Sequence, residues 1–292
     1  MSLFLSVLEQ GFIYAILALG VYITFKILDF PDMSVDATFP LGAAVTALMI
    51  EKGASPLLAL PVSVLAGALA GALTGVIHVK FHVRDLLSGI IVMTGLYSVN
   101  LHIAGRANVQ LFTFHTMFKN PLVSSLPFSV QSYVPVIVLL VLTLVVKFLL
   151  DAYLSTRSGF LLRATGDNPT LVASLAKDSG KVKILGLAIA NGLVALSGSV
   201  MCQYQRYFDV SMGTGTLVLA VASVIVGTQL LRILPRLGAT LCVVLGSVLY
   251  KGCVALALSM GLSPFDLKLV TAALLLIIIV AGGQRKKVKR RA

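Results

Sequence analysis

The chain has 292 residues, of which 58% are hydrophobic and only 12% are charged, against roughly 45–50% and 25% in average soluble domains. Its mean hydropathy is +1.00. A soluble fold of this size cannot bury so much apolar surface and expose so little charge. An ordinary globular enzyme, a coiled coil, a disordered chain and a disulfide scaffold are therefore excluded. The composition predicts an all-α polytopic transmembrane bundle, because an open sheet edge cannot be satisfied in lipid.

The charge is strongly basic, with 23 Lys and Arg against 11 Asp and Glu, a net +12. Six of these cations lie in the basic tail at 284–292, directly after an apolar run. Such a cluster is typical of a cytoplasmic helix end facing anionic lipid, not of a nucleic-acid-binding protein. The three cysteines lie in apolar stretches without metal-ligand or disulfide spacing. We expect no bound metal, cofactor or nucleic acid, and a single membrane domain over 1–292.

About nine spans, within a range of eight to ten, can be marked off as apolar runs long enough to cross roughly 30 Å of hydrocarbon. The second is short, follows Asp29, Pro31 and Asp32, and contains Pro40, which predicts a broken or re-entrant helix. In chain order the predicted spans are Leu3–Phe25, Asp36–Ile50, Pro56–His78, Leu86–Gly105, Gln131–Leu150, Ile184–Tyr204, Gly213–Leu231, Pro235–Leu258 and Leu267–Gly282.

The cations also predict the orientation. If the basic tail is cytoplasmic, alternating spans place most Lys and Arg on the cytoplasmic side, as the positive-inside rule requires. An odd number of spans then puts the N-terminus outside. No cation precedes Lys26, which agrees with an external N-terminus and argues against a cleaved signal peptide. We expect a multi-pass protein of the bacterial inner membrane.

Glycines at 67, 71 and 75 form a continuous stripe in the third span. Gly67, Gly71 and Gly75 would let another helix backbone approach closely, either within the chain or in a second copy. Asn100 and Asn191 are the two amides within spans. Each is either glue between helices or part of a translocation path, because polar groups in a membrane are functional candidates.

A cluster of carboxylates surrounds the predicted break before the second span. Asp29, Asp32 and Asp36 either sit in a solvated loop or line the path through an unwound segment. We count Asp36 with Asn100 and Asn191 as candidates for the translocation path. A weak likeness between 36–42 and 211–217 suggests an inverted repeat, which suits any class of transporter.

The loop at 151–183 is the longest predicted cytoplasmic connection. Asp167 or Asn168 followed by Pro169 is a strong signal for a helix start. Leu171, Val172 and Leu175 would form one apolar edge on about two helical turns. A helix this short needs a partner surface, which is either the membrane interface or a soluble protein.

The loop carries a resemblance to a known family. The run Arg163-Ala-Thr-Gly-Asp-Asn-Pro169, then Leu175-Ala-Lys177 and a small-residue span through Asn191, resembles permease subunits of ABC importers of the branched-chain amino-acid type. The first span, with Gly11 and Tyr14-Ala-Ile-Leu-Ala-Leu-Gly20, is also similar. Around Asp29–Asp36 the chain departs from that type and is closer to the single-permease branch linked to aromatic amino acids.

The resemblance implies a coupling helix that docks on a cytoplasmic ATPase, which is present in two copies and binds ATP and magnesium. The coupling candidates are Arg163, Gly166, Asp167, Asn168, Pro169, Leu171, Val172 and Leu175. The chain lacks a Gly-x-x-x-x-Gly-Lys-Ser/Thr motif, so we expect no ATP hydrolysis by the chain itself. The resemblance also implies a second permease copy and a substrate-binding protein, expected to be lipid-anchored, that docks outside on Arg106, Lys119, Arg206 and Asp209.

Two other functions compete with an importer permease: a self-sufficient secondary carrier or channel, and an integral-membrane enzyme. A carrier would usually show buried charges in mid-span. An enzyme would need clustered acids, histidines or cysteines near the interface. Charges in mid-span are nearly absent, and the sequence shows no such cluster near the interface. It therefore favours a permease that imports an amino acid or a similar small solute.

Overall fold

The structure is a computed structural model that describes residues 2–119, 127, 131–168, 172, 178–233, 237–259, 269, 271–273 and 276. It is almost entirely helical. Nine α-helices are named here in chain order, and α1 continues into a π-helical turn, Tyr22–Ile27. The helices are α1 Ser2–Val21, α2 Val35–Glu51, α3 Pro56–Lys80, α4 Asp85–Ala104, α5 Val134–Leu154, α6 Arg157–Asp167, α7 Ser179–Gln205, α8 Thr216–Ile233 and α9 Ala239–Ser259.

Seven helices in the described part of the chain are long and apolar enough to cross a membrane. They are α1 with its π-helical turn, α3, α4, α5, α7, α8 with the preceding Val210–Gly213 turn, and α9. The second predicted span corresponds to α2, which has 17 residues and is not among these seven. The predicted all-α polytopic bundle is confirmed. The ninth predicted span lies outside the described residues apart from 269, 271–273 and 276, and the basic tail lies wholly outside them.

The break predicted around α2 lies before the helix and not within it. α1 ends in the π-helical turn, and Asp29 follows with φ +51°. α2 then runs without interruption through Pro40, which corrects the expectation of a helix broken there. Pro40 has no N–H to donate to the Asp36 carbonyl, and Gly213 packs closely against that carbonyl and the Pro40 ring.

The core is built around α7, which packs against α1, α2 and α3. The glycine stripe of α3 faces α7 of the same chain: a Cβ on Gly67, Gly71 or Gly75 would collide with the backbone or side chains of α7. Hydroxyls cross-link the same helices, with Thr46 Oγ1 lying 2.6 Å from Ser199 Oγ and 3.1 Å from Ser63 Oγ. Small residues and hydroxyl pairs of this kind hold membrane helices together.

The bundle has two ends that differ in structure. At one end a strand after α4, β1 Asn108–Gln110, pairs antiparallel with β2 Tyr207–Asp209, which follows α7. We call this end the strand face. At the other end α6 follows α5, and the end of α3 meets the start of α7 through His78 and Lys183. We call this end the α6 face.

Candidate functional site

The start of α2 brings together the amide and carboxylate groups that the sequence singled out. Asn191 of α7 is fully buried. Its Nδ2 donates to Asp32 Oδ2 at 2.7 Å, and its Oδ1 accepts from the Ser34 hydroxyl at 3.3 Å. Asp32 is also buried and accepts a hydrogen bond from the Ser34 amide at 2.9 Å. The Asp32 carboxylate is therefore held by polar groups, with no cation paired to it among the described residues.

Asp36, in the first turn of α2, binds the start of α8. Its carboxylate accepts hydrogen bonds from the Gly215 amide at 3.0 Å, the Leu217 amide at 2.8 Å and the Thr216 hydroxyl at 3.1 Å. The first amides of a helix lack internal partners and favour negative charge. Asp36 thus caps α8 from another helix. This contact also joins the two segments, 36–42 and 211–217, whose weak likeness suggested an inverted repeat.

Asn100 of α4 also contacts the first turn of α2. It is fully buried, and its Nδ2 donates to the Ala37 carbonyl at 3.0 Å. Its Oδ1 has no hydrogen-bond partner among the described residues. The three candidates for the translocation path therefore lie together: Asn100 and Asn191 form hydrogen bonds to residues in the segment 32–37, which contains Asp36. Each of the three has its own hydrogen-bond partners.

The strand face holds the four residues predicted to dock a binding protein, and it places them in different environments. Arg106 forms an exposed ion pair with Glu51 at 2.6 Å. Asp209 accepts from Asn108 Nδ2 at 3.2 Å and from the amide and hydroxyl of Ser211. The Ser211 hydroxyl is the main cause of the lowered pKa of Asp209, assisted by the Ser211 amide and Asn108.

Lys119 and Arg206 lie together on a cavity of about 300 Å³ in the strand face. Arg206 ends α7 with φ +60°, and its guanidinium lies 5.3 Å from the centre of the Phe112 ring. The sequence had identified the two cations but not the cavity, because its walls come from segments far apart in the chain. The lining residues are Thr116, Phe118, Lys119, Gln131, Gln203, Tyr204 and Arg206.

The α6 face contains a helix that the sequence did not predict. α6 begins at Arg157 and is capped by Thr156, whose hydroxyl accepts a hydrogen bond from the Gly159 amide at 3.3 Å. Arg163, Gly166 and Asp167 belong to α6, and Asn168 ends it in an extended conformation. These residues thus precede any helix started by Pro169. Gly166 packs against the carbonyl of Ile27, where a Cβ would collide, so α6 is fixed to the bundle.

Of the three residues predicted to form the apolar edge of the coupling helix, only Val172 belongs to the described residues. Val172 is helical and fully buried, and its amide donates to the Asn168 carbonyl at 3.4 Å. Pro169, Leu171 and Leu175 lie outside the described residues. Further along, Asp178 caps α7 by accepting from the Gly180 and Lys181 amides. The Lys181 amide is the main cause of the lowered pKa of Asp178.

Comparison with known proteins identifies the family. Residues 3–280 match the model of the permease component of branched-chain amino acid transport systems. The chain belongs to this family. The resemblance found in the sequence is thereby confirmed, and the chain is a multi-pass membrane permease of a transport system.

Two curated relatives cover nearly the whole chain. A tyrosine transport system permease protein of Clostridioides difficile (strain R20291) is 42% identical over 93% of this chain and 88% of its own length. An uncharacterized protein of Rickettsia prowazekii (strain Madrid E) is 32% identical over 92% of this chain and 94% of its own. The link to the aromatic amino-acid branch is confirmed by the first of these.

A solved structure shares the fold. PsaBC from Streptococcus pneumoniae in complex with Fab aligns with a TM-score of 0.51 over 95% of this chain and 89% of that one. The identity is 11%, so this likeness supports the helical architecture alone.

Proposed function

We propose that this chain is the permease subunit of an ATP-binding-cassette importer for aromatic amino acids, with tyrosine as the first substrate to test. The observation that carries this proposal is the 42% identity, over nearly the full chain, to a permease named for tyrosine transport. The chain itself binds no cofactor and catalyses no reaction in this proposal. ATP and magnesium bind to two copies of a separate cytoplasmic ATPase.

The proposed topology places the strand face outside the cell and the α6 face in the cytoplasm. The N-terminus is then external, and the basic tail at 284–292 lies against cytoplasmic lipid. A substrate-binding protein, anchored by lipid, docks on the strand face at Arg106, Lys119, Arg206 and Asp209. Selection of the amino acid then takes place before it reaches the bundle.

The coupling segment is proposed to follow α6. Gly159 packs against Leu154 of α5 and Gly166 packs against the Ile27 carbonyl, so a force applied to residues directly after Asn168 is transmitted to the π-helical turn of α1. That turn leads to Asp32, Ser34 and Asp36 at the start of α2. The translocation path is proposed to open beside these residues, Asn100 and Asn191, where buried polar groups join α2, α4, α7 and α8.

Uptake in cells tests the proposal. Deletion of this gene should abolish uptake of labelled tyrosine and reduce that of tryptophan, and deletion of the partner ATPase gene should have the same effect. Leucine uptake serves as the comparison. If loss of the chain leaves all three unchanged and abolishes uptake of a sugar or vitamin, the substrate assignment is wrong. Uptake that needs this chain but no ATPase would favour a self-sufficient carrier.

Coupling is tested separately with charges on the proposed docking edge. Leu171→Asp and Leu175→Asp should uncouple ATP hydrolysis from transport, because a carboxylate desolvated without a partner is strongly unfavourable. Lys80→Gln at the end of α3 is the control, since Lys80 is exposed on the α6 face and is not one of the coupling candidates. Normal ATPase stimulation and normal import in both aspartate variants would contradict the assignment.

Stoichiometry is the third test. Two ATPase subunits that close on each other need two coupling segments, and each chain supplies one, so we propose a homodimer of this permease. Native mass spectrometry of the solubilised complex should give two permeases and two ATPases. A single permease bound to an ATPase dimer would contradict the proposal.

A further inference from the structure

The cavity in the strand face is separate from the polar contacts at the start of α2. One wall is the segment 116–119, and the opposite wall is the end of α7 with Gln203, Tyr204 and Arg206. Its volume of about 300 Å³ lies at the lower end of the range for small-molecule sites, roughly 300–1,000 Å³. The cavity can therefore hold one small solute.

Hydrogen bonds between protein groups hold the walls in place. Gln203 is fully buried at the base. Its Oε1 accepts from the Met117 amide at 3.1 Å, and its Nε2 donates to the Pro56 carbonyl at 3.0 Å. Thr116 and Lys119 are joined by two backbone hydrogen bonds of 3.2 Å. One buried side chain thus ties α7 to both the 116–119 segment and the start of α3, and the cavity is preformed.

An aromatic pair forms part of the lining. The rings of Phe118 and Tyr204 lie 6.0 Å apart at an interplanar angle of 87°, an edge-to-face arrangement that aromatic rings favour. The Tyr204 hydroxyl donates to Glu9 at 2.7 Å, which fixes the ring in position. A third ring could extend this pair by the same edge-to-face or offset packing.

The charge of the lining is positive. Lys119 and Arg206 contribute two cations, and no carboxylate belongs to the lining among the residues that the structure describes. Neither cation takes part in an ion pair within the described part of the chain. Arginine and lysine attract carboxylates most strongly where the site is partly removed from water. The lining thus combines a place for an aromatic ring with a place for a carboxylate.

We propose that this cavity binds a single aromatic amino acid, with its carboxylate between Lys119 and Arg206 and its ring beside Phe118 and Tyr204. This proposal rests on the proposed function, since it makes the cavity the first site that the substrate occupies after release from the binding protein. The permease then recognises the substrate itself, in addition to the selection made by the binding protein.

Binding to the isolated permease tests this site. The full chain is purified into lipid nanodiscs without ATPase or binding protein, and binding of tritiated tyrosine is measured at equilibrium. We expect saturable binding that phenylalanine displaces. Tyramine, which keeps the ring but lacks the carboxylate, should compete at least about tenfold more weakly. Absence of saturable binding, or equal competition by tyramine, would overturn the proposal.

Variants locate the binding within the strand face. Lys119→Gln with Arg206→Gln should weaken tyrosine binding by at least about tenfold, and Phe118→Leu should weaken it while leaving the cations in place. Arg206→Lys, which keeps the charge, should restore most of the affinity lost in Arg206→Gln. Lys52→Gln removes an exposed cation at the end of α2, outside the lining, and should bind tyrosine normally. Equal loss in Lys52→Gln and in the double variant would overturn the assignment.

The two proposals fail in distinguishable ways. If cellular uptake of tyrosine requires the chain but the purified chain binds no tyrosine, the proposed function stands and the cavity assignment fails. Lys119 and Arg206 would then serve only to dock the binding protein. If the purified chain binds tyrosine through these residues but uptake does not depend on the gene, the cavity assignment stands and the transport assignment fails.

Discussion

Helices α5 and α7 are both long and apolar, yet they occupy different environments. In the most apolar stretch of α7, 72% of the residues are buried inside the protein, against 22% for α5. α5 has a sequence rich in Val and Leu, with exposed side chains such as Ile137, Val141 and Phe148. α7 contains Gly186, Gly198, Asn191 and several serines. The helix with fewer large apolar side chains is therefore the one at the centre.

This difference follows from the solvent. Lipid is as apolar as leucine, so large apolar side chains gain little from leaving it, and helix association depends on close backbone contact and hydrogen bonds. In a soluble protein, high hydrophobicity marks the core. Between α5 and α7, small residues and buried polar groups mark the central helix, and exposed large apolar residues mark the peripheral one. Large apolar side chains are also buried elsewhere, as Ile13, Ile16 and Leu17 of α1 show.

The largest effect is expected when a glycine of α7 is replaced by a large residue, because close backbone contact places α7 at the centre of the bundle. A Cβ at Gly198 would collide with the Phe39 carbonyl, so Gly198→Leu must separate α7 from α2. We expect a loss of more than about 3 kcal/mol in the free energy of unfolding, because backbone atoms cannot move aside as a side chain can. The measurement is SDS-induced unfolding of the purified permease.

A matched glycine on α4 provides the control. No atom of the described residues lies within 4 Å of a Cβ at Gly95, and Gly95→Leu should change the free energy of unfolding by less than about 0.5 kcal/mol. Similar losses in the two variants would show that close backbone contact does not define the centre of this bundle.

The second prediction concerns the buried amide of α7. Asn191→Leu removes the hydrogen bond to Asp32 and leaves a buried carboxylate with fewer partners, which should destabilise the protein by about 2–3 kcal/mol. The double variant Asp32→Asn with Asn191→Leu should recover part of this loss, since no charge is then buried. Both are compared by SDS titration. A double variant less stable than Asn191→Leu would contradict the proposed origin of the effect.

The sequence predicted the helices of this protein well because each apolar run carries its own signal. It did not predict α6, whose eleven residues are too few and too polar to form a stable helix alone. α6 depends on packing of Gly159 against Leu154 and of Gly166 against Ile27. Gly166 and Ile27 are far apart in the sequence, so no local pattern predicts the contact between them.

The sequence predicted which polar residues belong to the candidate site, but not which groups they contact. Asp36, Asn100 and Asn191 were identified because polar groups are rare in spans. The partners of Asp36 lie in 215–217, about 180 residues away, and no local pattern connects them. The cavity was missed for the same reason, since Gln203 and Tyr204 have no local feature that distinguishes them from other residues of an apolar helix.

The third prediction weakens the contact between α2 and α8. Asp36→Ala removes three hydrogen bonds at the start of α8 and should cost about 1–2 kcal/mol, the usual effect of losing a helix cap. Asp36→Asn keeps an acceptor and should cost less. Hydrogen exchange of the first amides of α8 should rise in Asp36→Ala and remain low at the start of α9. Unchanged exchange at Leu217 would show that Asp36 does not cap α8.

The smallest expected effect is at the strand face, away from the packed centre. Hydrogen bonds from the Ser211 hydroxyl, the Ser211 amide and Asn108 lower the pKa of Asp209. A carboxylate with a lowered pKa in the folded state stabilises the protein fully above its unfolded value, about 3.9. That stabilisation disappears as the pH falls through the folded value. Asp209 should thus contribute at neutral pH and not at strongly acidic pH.

The measurement compares the melting temperature of the natural chain with that of Asp209→Asn in detergent from pH 7 to pH 3. Asparagine keeps the shape and loses the charge, so the natural chain should melt slightly higher at pH 7, and the two values should converge as Asp209 becomes protonated. Because Asp209 is near the surface, solvent screening keeps the difference small. A difference that stays constant over this range would show that the carboxylate charge does not stabilise the turn between β2 and α8.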